Sequence, residues 1–241
     1  MTNIDFPGDE DDIDHAFDRA RLPIPNVAPQ WQVQLDICSD LPLTTDTFCG
    51  RETELLVVEE ALSSSRSGLR GVVLYGIGGS GKTQLTLRYI QKHKNEYPTI
   101  IWINASSSES TYQSFEDVAN LFSQSWPARD VPNPYSGTEN WAKVVSRLRS
   151  TLYTRWLLVI DSIDDLEQEQ FRRYVPACSH GSVIITSTQY QCVDVFPSFT
   201  GIEVDALDLK SAQELLLNRA FGESRAKKLL EKGRSSPPFG D

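Results

Sequence analysis

Eight consecutive residues, Gly76-Ile77-Gly78-Gly79-Ser80-Gly81-Lys82-Thr83, carry the chemistry that stands out in this chain. They fit G-x-x-x-x-G-K-[ST], a loop that wraps the phosphates of a nucleotide. Glycines let the backbone turn tightly and aim its N–H groups inward. The following helix N-terminus adds partial positive charge, so an anion is held by the main chain. Lys82 is placed to reach the β- and γ-phosphates, and Thr83 to offer a hydroxyl to Mg²⁺. The expected phosphate-binding set is Gly76, Gly78, Gly79, Ser80, Gly81, Lys82, Thr83 and Gln84. A glycine-rich turn with a solvated lysine is the plain alternative.

Such a loop needs a carboxylate for the metal, usually at the end of a neighbouring buried strand. Trp156-Leu157-Leu158-Val159-Ile160 is a continuous apolar run that ends in Asp161, the form of a strand buried on both faces of a parallel sheet. Asp161 is the expected magnesium-linked carboxylate, and Lys82 and Asp161 are the residues on which phosphoryl chemistry would rest. The competing reading has Asp161 capping the turn that Ser162, Asp164 and Asp165 follow.

The elements that would position these residues are legible in the pattern. Gly71–Tyr75 reads as the strand entering the loop and Gln84–His93 as the helix leaving it. Thr99–Asn104 and Ser182–Thr186 fit further strands of the same sheet. Phe115–Trp126 and Trp141–Leu152 have helical apolar spacing, with Pro127–Gly137 a loop between them. The alternation predicts an α/β fold, a mostly parallel sheet with helices on both faces.

Of 241 residues, 39% are hydrophobic, enough for one packed α/β domain. Seven acidic residues against one basic between Met1 and Ala20, then Pro23, Pro25 and Pro29, read as a disordered leader. The expected organisation is leader 1–40, nucleotide-binding domain 41–205, the start of a helical subdomain 206–232 and a disordered tail 233–241. The net charge of −10, with no Lys/Arg cluster, argues against a nucleic-acid binder. With no membrane-length apolar run and no signal peptide, the expected location is cytoplasmic. Cys38, Cys49, Cys178 and Cys192 form no C-x-x-C pair and read as reduced structural thiols.

In this order, four stretches resemble the NB-ARC and related STAND class of P-loop ATPases, the switch domains of plant resistance proteins, apoptosis activators and fungal intracellular receptors. Phe48-Cys49-Gly50-Arg51-Glu52-Thr53-Glu54-Leu55 resembles the family's h-x-G-R-E-x-E-L motif ahead of the first strand. The phosphate loop and the strand ending in Asp161 are the second and third. Gly181–Thr188, followed by Ile202–Leu207 and a helix from Lys210 to Ala220, resembles the sensor strand and the step into the next subdomain. The resemblance implies ATP or ADP with Mg²⁺ as ligand, Arg51 near the base or ribose, and the Phe48–Cys49 backbone against the adenine.

The departures are specific. Where the family commonly has a second acidic residue after the magnesium-linked Asp, this chain has Ser162, and a hydroxyl is a poor general base at neutral pH. Where the sensor strand often ends in an arginine, Thr188-Gln189 stands here. The family's distal helical and winged-helix parts have no counterpart after Ala220, so the chain reads as truncated. Three functions follow: a nucleotide-binding switch with slow or absent hydrolysis that acts on a protein partner or by self-association; an active ATPase or phosphotransferase; and a truncated remnant that does not bind.

Overall fold

The computed structural model describes residues 41–45, 47–63, 68–125, 139–150, 154–164 and 171–234. The expected leader, the loop at 127–137, the tail from Ser235 and Asp165 lie outside these residues. Five strands, β1 (Arg70–Tyr75), β2 (Thr99–Asn104), β3 (Trp156–Asp161), β4 (Ser182–Ser187) and β5 (Thr200–Glu203), form one sheet in the order β2-β3-β4-β1-β5. Every pairing is parallel. The parallel sheet expected from the β-α alternation is thus present. β5 was not among the expected strands: it is only four residues long at an edge and shows no continuous apolar run.

All residues of β3 and β4 are buried. Helices on both faces make this so, which is why these strands read as unbroken apolar runs rather than alternating ones. On one face, α1 (Glu52–Leu62) and α2 (Lys82–His93) cover Val72, Leu74, Leu157, Val159 and Ile184. On the other, α3 (Ser108–Ser125) and α4 (Asn140–Leu148) cover Val73, Ile101, Leu158, Ile160, Val183 and Ile185. Successive strand residues therefore enter opposite halves of the core. A single-turn helix α5 (Cys192–Val195) leads to β5, and α6 (Leu209–Phe221) and α7 (Glu223–Arg234) follow.

Two helix boundaries differ by four residues or more from the spacing-based expectation, each for a local reason. α3 begins seven residues before Phe115 because Ser107 caps it: its Oγ accepts from Ser110 N at 3.0 Å, and Thr111 Oγ1 donates to its carbonyl at 2.7 Å. The added turns are polar and leave no apolar signal. α4 stops at Leu148 rather than Leu152. The Leu148 carbonyl accepts from the buried Trp156 indole at 3.0 Å and lies 2.9 Å from His180 Nε2. Side chains from β3 and the β4 approach thus satisfy a helix-end carbonyl.

Candidate functional site

β1 ends at Tyr75, and the chain reverses through Gly76 with φ 145°. A Cβ at Gly76 would lie 2.3 Å from the Val204 carbonyl oxygen, so the glycine is required by both conformation and space. Gly81 caps α2 with φ 98°, and Lys82 opens the helix. The first N–H groups of α2 have no intrahelical acceptor and are available to an anion. A Cβ added at Gly78, Gly79 or Gly81 would meet nothing within 4 Å. The loop is an open main-chain cradle.

Lys82 is 92% buried, as its 8% exposure shows. Its Nζ donates to the carbonyls of Gly76 at 2.7 Å and Ile77 at 2.9 Å. Burial pulls its ammonium below the ordinary lysine range, while Asp164 and Asp161 push the other way. The lysine is thus curled onto its own loop and partly desolvated.

Asp161 ends β3, and Thr83 Oγ1 donates to it at 3.0 Å. The strand does not adjoin β1: β4 lies between them. The carboxylate reaches the loop across the end of β4. That crossing is made by Thr186, a buried residue whose Oγ1 donates to Asp161 Oδ1 at 2.6 Å and accepts from Ser162 N at 2.8 Å. Burial raises the Asp161 pKa above its ordinary value; the hydroxyls of Thr186 and Thr83 and the charge of Lys82 oppose this, and Asp164 adds to it.

Thr186 was missed in the sequence. A threonine ending an apolar strand gives no signal until the parallel register sets it beside another strand's terminal aspartate.

Ser162 has φ 66°, unusual for a residue other than glycine. The backbone turns sharply there and delivers Asp164 to the end of β4. Asp164 Oδ1 accepts from Thr188 N at 2.7 Å and Thr188 Oγ1 at 2.8 Å, and its carbonyl accepts from Gln189 Nε2 at 2.7 Å. Thr188 and Gln189 are therefore engaged in holding the turn after Asp161.

Arg51 has φ 71° and precedes α1. Its Nη1 pairs with Glu54 at 2.6 Å, while Nη2 donates to the Ser80 carbonyl at 3.1 Å and to the Asp205 carbonyl. The guanidinium joins the loop to the segment after β5. Arg51 Nε and Ser80 Oγ are buried without a hydrogen-bond partner in the described structure. Gly50 packs tightly on Ser211, and Asn218 Nδ2 donates to Cys49 Sγ at 3.2 Å, so α6 abuts this turn.

Gln84 faces away from the loop interior. Its Oε1 accepts from Thr45 N at 3.1 Å and its Nε2 donates to the Leu43 carbonyl at 3.3 Å. It pins the 43–45 segment onto α2 beside a cavity of about 280 Å³ lined by Phe48, Leu87, Arg88 and Gln91. The structure thus brings Arg51, Ser80, Lys82, Thr83 and Asp161 together, and gives the Gln84 side chain a tethering position.

Sheet, loop and carboxylate define an α/β P-loop NTPase fold, with the loop and Asp161 at the C-terminal ends of its strands. Residues 51–226 match the family model described as the NB-ARC domain. The chain belongs to this family.

A nucleotide-binding leucine-rich repeat (NLR)-like protein of Hyaloscypha variabilis is 27% identical over 211 residues, aligning 76% of this chain. The chain spans 20% of that relative's length. Among solved structures, Cdc6p of Pyrobaculum aerophilum is similar with a TM-score of 0.52 at 16% identity, over 76% of this chain and 53% of that one. The ORC2 protein of Aeropyrum pernix gives a TM-score of 0.46 at 14% identity, over 75% and 54%. Among the described residues, no helix is long and apolar enough to cross a membrane.

Proposed function

We infer that this domain binds ADP or ATP with Mg²⁺ and works as a slow or non-hydrolysing switch. The observation that carries the reading is the Thr83–Asp161 contact at 3.0 Å directly under a loop whose glycines leave the cradle open. A hydroxyl and a carboxylate, both hard oxygen donors, suit Mg²⁺. Bound there, the metal would neutralise charge on the β- and γ-phosphate oxygens. Lys82 would leave the Gly76 and Ile77 carbonyls for the phosphates, and its partial desolvation favours that exchange.

Slow turnover is the reading that the polar turn after Asp161 supports. Among the described residues, the position for a water-activating carboxylate is filled by Ser162, and Asp164 is taken by Thr188. Within this proposal the nucleotide-binding unit spans 41–205, the helical part begins at 206, Arg51 ties the phosphate loop to the segment after β5, and the protein is cytoplasmic. Its output is a changed contact with a protein partner or with a second copy, driven by differential binding of ADP and ATP.

The test is calorimetric binding of ATP, ADP and GTP with and without Mg²⁺, alongside phosphate release. Tight binding is expected that falls roughly 10- to 100-fold in Lys82→Ala, the loss of charge-assisted hydrogen bonds, with little phosphate released. Brisk release would overturn the slow switch, and absence of binding by folded protein would overturn the site.

A further inference from the structure

At the opposite, N-terminal end of the sheet lies a cavity of about 360 Å³ lined by Leu62, Arg70, Glu96, Tyr97 and Arg155. It is about 20 Å from the phosphate loop, the length of a six-residue strand. Leu62 and Tyr97 are buried and supply an apolar wall. The Tyr97 hydroxyl is turned to other partners, Tyr89 at 2.8 Å and Ser182 at 3.2 Å.

Each arginine is held by a main-chain carbonyl and not by a carboxylate. Arg70 Nε donates to the Gly181 carbonyl at 3.3 Å, and Arg155 donates to the Glu96 carbonyl from Nε at 3.0 Å and Nη2 at 2.8 Å. Neither enters an ion pair among the described residues. Glu96, which also lines the cavity, makes no ion pair with either arginine; its carboxylate lies 2.6 Å from His93 Nδ1. A guanidinium has five N–H donors. Arg70 therefore keeps four to offer and Arg155 three. That supply exceeds what the two oxygens of one carboxylate accept, and it suits the three terminal oxygens of a phosphate.

We propose that this cavity is a second anion site, which takes the phosphate of a small free phosphate monoester between Arg70 and Arg155 and its organic part against Leu62 and Tyr97. The carbonyl anchors hold both forks before the ligand arrives, so little side-chain freedom is lost on binding. Apolar contact with Leu62 and the Tyr97 ring gives a phosphate monoester an advantage over inorganic phosphate.

The probe is phenyl phosphate, titrated into full-length Lys82→Ala protein so that the phosphate loop is weakened, with acetate and inorganic phosphate as controls. Saturable binding of phenyl phosphate is expected, stronger than that of either control. It should weaken at least about tenfold in Arg155→Gln, the loss of one charged hydrogen bond, and partly recover in Arg155→Lys. Arg155 is exposed, so its substitution leaves the fold intact. Nucleotide binding in an otherwise wild-type Arg155→Gln protein should be unchanged, which separates failure here from failure of the switch reading. Binding unaffected by Arg155→Gln, equal binding of acetate, or no saturable binding would each overturn the proposal.

Discussion

The two ends of this sheet solve the same problem in opposite ways. At the C-terminal end, Thr83, Asp161 and Thr186 are small oxygen-bearing residues that bond to one another beneath a loop whose glycines present no side chain. At the N-terminal end, Tyr89, Tyr97 and Ser182 join their hydroxyls beneath bulky rings in the core. Both networks are largely closed on themselves, yet only the first lies under exposed main-chain donors. What sets the C-terminal end apart is therefore not its polar groups but the main chain left uncovered above them.

Substitutions at the two ends should separate these roles. The largest effect on stability is expected from Gly76→Ala, whose Cβ would strike the Val204 carbonyl at 2.3 Å from a backbone with φ 145°. The cost is about 3 kcal/mol, a fall in Tm of about 6–12 °C by calorimetry. An unshifted Tm would show that β5 yields freely.

Thr186→Val is next. It leaves Ser162 N without its acceptor and Asp161 without one donor, a loss of about 1–3 kcal/mol, and it should also reduce the stabilisation that Mg²⁺ adds to bound nucleotide. Tyr97→Phe is its counterpart at the other end and should cost about 1–2 kcal/mol with Mg²⁺-dependent nucleotide binding unchanged. If both variants moved nucleotide binding equally, the contrast between the ends would fail.

The smallest effect concerns pH. Burial raises the Asp161 pKa, so the folded chain holds this proton more tightly than the unfolded chain does. Its contribution is present at acid pH and is lost as pH rises from the ordinary carboxylate range through the raised folded value. Asp161→Asn should remove that decline, and without Mg²⁺ its Tm should gain on wild type as pH rises from about 4 to about 7. Parallel Tm curves would mean that the carboxylate titrates as if exposed.

Legibility in the sequence followed the range of the interaction. The phosphate loop was legible because its function depends on local backbone conformation that glycines set residue by residue. The strands β2, β3 and β4 were legible because double-sided burial demands unbroken apolar runs. β5 was not, since four residues at a sheet edge are held by pairing with β1 and not by composition. The extent of α3 depended on the Ser107 cap, and that of α4 on Trp156 and His180, partners distant from the helix they end.

By itself, then, the sequence determined the fold class and the phosphate cradle, because periodicity and glycine placement act over a few residues. Only the tertiary structure decided which oxygen atoms meet. Insertion of β4 between β1 and β3 put Thr186 beside Asp161. The turn at Ser162 gave Asp164 to Thr188, and the approach of α1 to β5 set Arg51 between Ser80 and Asp205. Those contacts depend on strand order and register, which no local pattern encodes.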